Sequence, residues 1–215
     1  MSKFIVIEAL DAGGSQTQTN RLAERLDQSN YKVLKLHFPQ EDQPTGRFVY
    51  DKFLLSHNKP KFTRREQALI YIQDFYSQAK TISAHLSQST RSVVVSDRFY
   101  TSTIAYQTIG LAGSPRAVML AWIKYLTEEG TDHLPQPDLV VFLDTPVDIS
   151  LHHLKNKTKD FFENKQKLTA IRNSYLRQAK EEKWLVINSV NDRGEQRSID
   201  DIHEEIWQIV IPRLS

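Results

Sequence analysis

The sequence predicts an α/β fold: a parallel sheet of about five strands flanked by helices, with a short lid. Three observations carry that expectation. Five apolar, β-branched runs alternate along the chain with segments of helical periodicity. Several runs are apolar at nearly every position, as strands are when helices cover both faces of a sheet. A loop of small residues, Ala9 to Ser15, follows the first run and leads into a helix.

The strand runs are Phe4 to Glu8, Lys32 to Phe38, Val93 to Ser96, Leu139 to Asp144 and Trp184 to Asn188. The first helix is expected from about Thr17 to Ser29, with Leu22 and Leu26 on one face. A shorter one covers about Thr45 to Leu55. A long helix spans about Thr63 to Ser87, where Leu69, Ile72, Phe75, Ala79, Ile82 and Leu86 recur at helical spacing. Pro115 opens the next, which ends near Gly130, because proline is favourable in a first helical turn. Pro146 starts a short helix to about Lys155. A charged interruption follows, then helix from Glu163 to Glu182 and a last one from about Ser198 to Arg213.

Composition bounds what such a chain does. The 215 residues include 40% hydrophobic ones, enough for a full core, and are read as a single domain, 1–215. The 28 basic and 26 acidic side chains leave a formal charge of +2, which gives no general surface for nucleic acid or membrane. There are no cysteines, so disulfides and thiolate metal sites are excluded. With no signal-like start and no apolar run near the ~20 residues of a membrane span, a soluble cytoplasmic protein is expected.

Several constellations point to chemistry. In the first loop the P-loop pattern G-x-x-x-x-G-K-[ST] falls on Ala9, Gly14, Ser15 and Gln16, so its lysine and its hydroxyl are replaced. Ala12, Gly13 and Gly14 still let an anion approach the amides of a helix N-terminus, and Thr17 offers a hydroxyl there. A tight turn without a ligand reads the same way. Asp97-Arg98 closes a buried strand, where α/β sheets bind ligands. Arg98 can fork onto a phosphate and Asp97 can order magnesium; a structural ion pair is the alternative. Phe38-Pro39 can wall a base pocket or simply end a strand. Tyr71 and Phe75 share a helix face, as a stacking platform or as core. The basic segment Lys155-Asn156-Lys157-Thr158-Lys159 reads as a flap or a solvated turn, and Asp160 to Glu163 as a helix-start box. The seven histidines form no metal-ligand or triad spacing.

In order and spacing these pieces resemble the thymidylate kinases, P-loop enzymes that phosphorylate dTMP with ATP and magnesium. The resemblance rests on Phe4 to Glu8 with Leu10-Asp11, Thr17-Gln18, Phe38-Pro39, Ser96-Asp97-Arg98-Phe99 with Ser102, and Ala105-Tyr106-Gln107. It continues through Pro137-Asp138-Leu139 to Leu143-Asp144, Lys159-Asp160 with Glu163, and Tyr175-Leu176. It implies a P-loop NTPase-like fold with a degenerate P-loop and a lid over about 155–162. ATP would lie on Ala12, Gly13, Gly14, Ser15, Gln16 and Thr17, with Mg²⁺ near Asp97 and Thr17. Asp11 would meet the deoxyribose hydroxyl, Tyr71 would stack on the pyrimidine beside Phe38, and Arg98 would hold the acceptor phosphate. Ser102, Tyr106 and Gln107 would line the nucleoside pocket, and Lys155, Lys157 and Lys159 would act from the lid. Phe75 stands where family members place an arginine against the base, and Glu41 near where some carry another after Phe-Pro. The implied partners are a nucleoside monophosphate, ATP and a second copy of the chain, with the helix from Pro115 to Glu129 as the dimer surface. The alternatives are a kinase for another nucleotide or nucleoside, and a catalytically weak or silent nucleotide-binding protein.

Overall fold

The computed structural model describes residues 2–54, 62–130, 132–154 and 165–214. All five expected strands are present: β1 (Lys3–Ala9), β2 (Lys32–His37), β3 (Ser92–Asp97), β4 (Leu139–Asp144) and β5 (Leu185–Asn188). They form one parallel sheet in the order β2-β3-β1-β4-β5. The helices are α1 (Ser15–Gln28), α2 (Pro44–Val49), α3 (Arg64–Leu86), α4 (Tyr100–Gln107), α5 (Gly113–Glu128), α6 (Val147–Leu154), α7 (Lys165–Glu181) and α8 (Ile199–Leu214).

Strand alternation divides the core between the two faces of the sheet. Phe4 and Val6 of β1 point into a cluster with α3, α4 and α5 that holds Ala68, Ile72, Phe75, Phe99 and Ile123. Ile5, Ile7 and Ala9 point the other way, onto Leu22 and Leu26 of α1 and Ile202, Ile206 and Val210 of α8. Both faces are covered, which is why β1 reads as an unbroken apolar run up to Glu8. Phe99 sits at the centre of the first cluster, with ring centroids 5.0 Å from Phe4, 5.2 Å from Phe75 and 5.6 Å from Phe38. Each such ring contributes roughly 1.5–3 kcal/mol on burial. This packing anchors the chain directly after Arg98.

Four sequence expectations need correction. Helix α4 was not foreseen, because its eight residues are too few to show a clear apolar stripe. The expected helix from Thr45 to Leu55 is α2 followed by a π-helical turn at Tyr50–Leu54. Helix α5 begins at Gly113, so Pro115 lies inside its first turn rather than opening it. Leu69 is 47% exposed, while its neighbour Ala68 is buried: the inward stripe runs 68, 72, 75, 79, 82, 86, and Leu69 lies one residue off it. The lid expected at about 155–162 and the box at Asp160 to Glu163 lie outside the described residues.

Candidate active site

Strand β1 lies between β3 and β4, and its C-terminal end opens onto the crevice where sheet order reverses. A cavity of about 560 Å³ lies over these strand ends. It is lined by the loop after β1, by the ends of β2 and β3 with α3 and α4, and by the ends of β4 and β5 with Thr145, α6 and the start of α8.

The loop side is made of backbone. Ala12 (φ 57°) and Gly14 (φ 101°) take left-handed conformations, the backbone setting in which loop amides form anion-binding concavities. Gly13 donates its amide to the Leu10 carbonyl at 2.8 Å. A Cβ on Gly13 would stand 2.8 Å from that same oxygen, so no larger residue fits without moving the loop. Gly14 is the N-cap of α1, with no side-chain cap and no acidic residue in the first turn. The first amides of a 14-residue helix are thus left for an external acceptor. Ser15 is buried at 7% exposure, whereas Gln16 and Thr17 are exposed.

The opposite side is made of side chains. Arg98 adopts φ 66°, a costly conformation for a non-glycine residue, directly after β3. Its Nη2 lies 2.5 Å from Asp11 Oδ1, and its Nη1 lies 3.3 Å from the Tyr106 hydroxyl and 3.4 Å from that of Tyr175. Asp11 Oδ1 also accepts from Tyr106 at 3.2 Å, while its Oδ2 is buried without a hydrogen-bond partner. Glu8 lies beneath, wholly buried, accepting from the Phe99 amide at 3.2 Å, Thr101 at 2.5 Å and Tyr175 at 2.9 Å. Burial pushes its carboxyl up to about 7, against the pull of Arg98 and those donors. Burial also raises the Tyr106 and Tyr175 phenols, so both stay protonated.

Asp97 is 3% exposed and lies 2.8 Å, through Oδ2, from His37 Nδ1; its Oδ1 is buried without a partner. His37 Nε2 is 3.3 Å from the Tyr50 hydroxyl. Phe38 and Phe75 meet edge to face at 4.9 Å, and Phe75 is 1% exposed, so it shows the cavity little more than an edge. Asp74 accepts the Gln40 amide at 2.9 Å and the Thr45 hydroxyl at 2.6 Å, fixing the chain after Phe38-Pro39. Ser102 donates to the Phe99 carbonyl at 2.6 Å, and the Gln107 carbonyl accepts from Arg64 at 2.9 Å.

The fold therefore brings Asp11 to Thr17, Phe38, Tyr71, Phe75, Asp97, Arg98, Ser102, Tyr106 and Gln107 around one cavity. Lys155, Lys157 and Lys159 lie outside the described residues. The histidines show no metal-ligand or triad spacing in the sequence, but two stand at this cavity: His37 beside Asp97, and His153, whose Nδ1 is 3.1 Å from the Ala12 carbonyl. Glu8 and Tyr175 had been given no role. The available signal was Glu8 itself, the one charge in the run from Phe4 to Ala9.

Polyphosphate fits the uncapped, small-residue loop. Magnesium has less to hold it: among the described residues no group of three His, Asp or Glu forms a metal cage, which leaves the free Asp97 Oδ1 and the exposed Thr17 as donors. No described helix is long and apolar enough to cross a membrane.

A parallel sheet whose first strand runs through a glycine loop onto a helix, with a cavity over the strand ends, is the architecture of a P-loop-type α/β protein. The thymidylate kinase family model matches residues 7–206, and the chain belongs to that family. A thymidylate kinase from Fervidobacterium nodosum is 28% identical over 211 residues, covering 96% of this chain and 97% of that protein. A probable thymidylate kinase from Metallosphaera sedula is 30% identical over 188 residues, 86% of this chain and 83% of its own. Among solved structures, thymidylate kinase from Candida albicans superposes with a TM-score of 0.77 at 18% identity, covering 99% of this chain and 92% of that one. The enzyme from Ehrlichia chaffeensis gives 0.70 at 22%, covering 97% and 98%. Membership of this family supports phosphotransfer of the nucleoside monophosphate kinase kind.

Proposed function

We propose that this chain, as a single domain, transfers the γ-phosphoryl group of ATP to dTMP or a related nucleoside monophosphate. One observation carries the reading: a backbone anion cradle and a forked cation share one cavity. The Arg98 amide bonds the Ile7 carbonyl at 3.1 Å, so the acceptor arginine hangs on the strand that feeds the loop. ATP lies with its phosphates on Ala12 to Thr17. The acceptor sits between Phe38, Tyr71, Arg98 and Tyr106, with a sugar hydroxyl donating to Asp11 Oδ2. An acceptor phosphate oxygen attacks the γ-phosphorus, the bond to the β-phosphate oxygen breaks, and ADP leaves. The loop amides and Arg98 take up the spreading charge. Mg²⁺, when held by the phosphates, Asp97 and Thr17, supplies further neutralisation. On family likeness we extend the proposal to a homodimer through α5, where Val118 and Tyr125 are 56% and 63% exposed.

A coupled assay with ATP, Mg²⁺ and a panel of monophosphates tests the reading. Saturable turnover with at least one acceptor is expected. One observation favours a second reading, a silent nucleotide-binding protein: Ser15 and Gln16 stand where the loop's lysine and hydroxyl belong. Saturable ATP binding without turnover of any acceptor would select it, and Ser15→Lys with Gln16→Ser would then be expected to raise activity.

A further inference from the structure

We infer that Thr145, Ser150 and His153 are positioning residues for the phosphate cradle, replacing with external struts the hold that the missing loop lysine would exert. The inference rests on the donor site proposed above. Three successive loop carbonyls, those of residues 11, 12 and 13, are each taken by a side chain from one short segment at the end of β4 and along α6. Thr145 Oγ1 donates to the Gly13 carbonyl at 3.0 Å. Ser150 Oγ donates to the Asp11 carbonyl. His153 Nδ1 stands 3.1 Å from the Ala12 carbonyl, and since a carbonyl only accepts, Nδ1 carries the proton.

Peptide planarity converts these contacts into a statement about the amides. In a trans peptide the carbonyl and the following N–H point in opposite directions. Tying the carbonyls of 11, 12 and 13 toward α6 therefore turns the amides of 12, 13 and 14 away from it. The Gly13 amide is used by Leu10, which leaves those of Ala12 and Gly14, and both residues line the cavity.

The struts themselves are rigidly placed. Thr145 is 2% exposed and Ser150 fully buried, so neither hydroxyl exchanges freely with water. In a loop with no lysine, anion affinity depends on amides already aimed at the ligand, and preorganisation of those amides becomes the dominant contribution.

Calorimetry on the full chain, with MgATP and separately with inorganic tripolyphosphate, tests this. Thr145→Val and Ser150→Ala should each weaken both ligands by roughly tenfold, the scale of one buried hydrogen bond, with the acceptor KM unmoved. His153→Leu should do the same and His153→Asn, which keeps a donor near the Nδ1 position, should restore affinity. The control is Thr127→Val, which deletes an equally buried hydroxyl-to-carbonyl bond, to Ile123 in α5. It should lower Tm without changing either affinity. Folded variants that bind both ligands as tightly as the wild-type chain overturn the inference and leave the donor site intact. If one of the single variants fails to fold, the remaining ones decide by the same criterion. No binding of either ligand by the wild-type chain overturns the donor site and this inference together.

Discussion

At one end of the cavity a nucleotide would meet main chain; at the other it would meet side chains. The loop at Ala12 to Gly14 presents amides and no charged group, and it rests on positive φ angles and on Gly13's lack of a Cβ. Across from it, Arg98, Asp11, Tyr106, Tyr175 and Glu8 form a connected network in which most polar atoms have a named partner. The difference teaches what each end tolerates. Amides are carried by every residue, so a loop that acts through its backbone keeps its donors whichever side chains stand at Ser15 and Gln16. A side-chain network loses a contact with each replacement, and its remaining members stay buried and unpaired.

The largest expected effect comes from breaking the side-chain end. Arg98→Ala should lower kcat/KM by roughly 10²–10³ and, by leaving the part-buried Asp11 without its ion-pair partner, cost about 1–3 kcal/mol of stability. Arg98→Lys should restore much of the stability but not the rate, because an ammonium lacks the fork. Steady-state kinetics beside urea melts separate the two, and undiminished turnover in Arg98→Ala would remove the acceptor site.

At the backbone end, Gly13→Ala should weaken ATP binding by roughly tenfold, about 1.4 kcal/mol. The added carbon meets main-chain atoms of Leu10 at 2.8 and 3.2 Å, which cannot rotate away. Acceptor binding should be spared, and a matching loss there would show that the two ends are not separable.

Glu8 sharpens the comparison through pH. Its folded value of about 7 lies above its ordinary 4.5. Between the two the folded chain keeps a proton that the unfolded chain releases, so stability falls as pH rises through that window and levels off above it. The total is on the order of 3 kcal/mol. Urea melts from pH 4.5 to 8 should show this slope, and Glu8→Gln should flatten it.

The smallest effect is expected far from both ends. Lys3→Ala, at the opposite edge of β1, removes a partly exposed pair with Asp138 at 3.0 Å. It should change stability by no more than about 1 kcal/mol and leave kinetics unchanged.

Much of this is legible in the sequence. The strands could be read because both faces of the sheet are covered and their apolar runs are nearly continuous. Asp97, Arg98 and the small loop could be placed at strand ends, where α/β sheets bind ligands. The short helix α4 was hidden because eight residues show too little periodicity, and Leu69 was misplaced by one position on a dense apolar helix. Glu8's partners were hidden for another reason: Tyr175 lies 167 positions away in the chain.

By itself, then, the amino-acid order determined the sheet, its helical cover and the positions at which chemistry is possible, because burial leaves a local, periodic trace along the chain. Only the tertiary structure decided which polar groups meet: that Arg98 would find Asp11 across 87 positions, that His37 would reach Asp97, and that Thr145, Ser150 and His153 would hold the loop. Hydrogen bonds and charge pairs act over a few ångströms of space, and no repeat in the sequence records that distance.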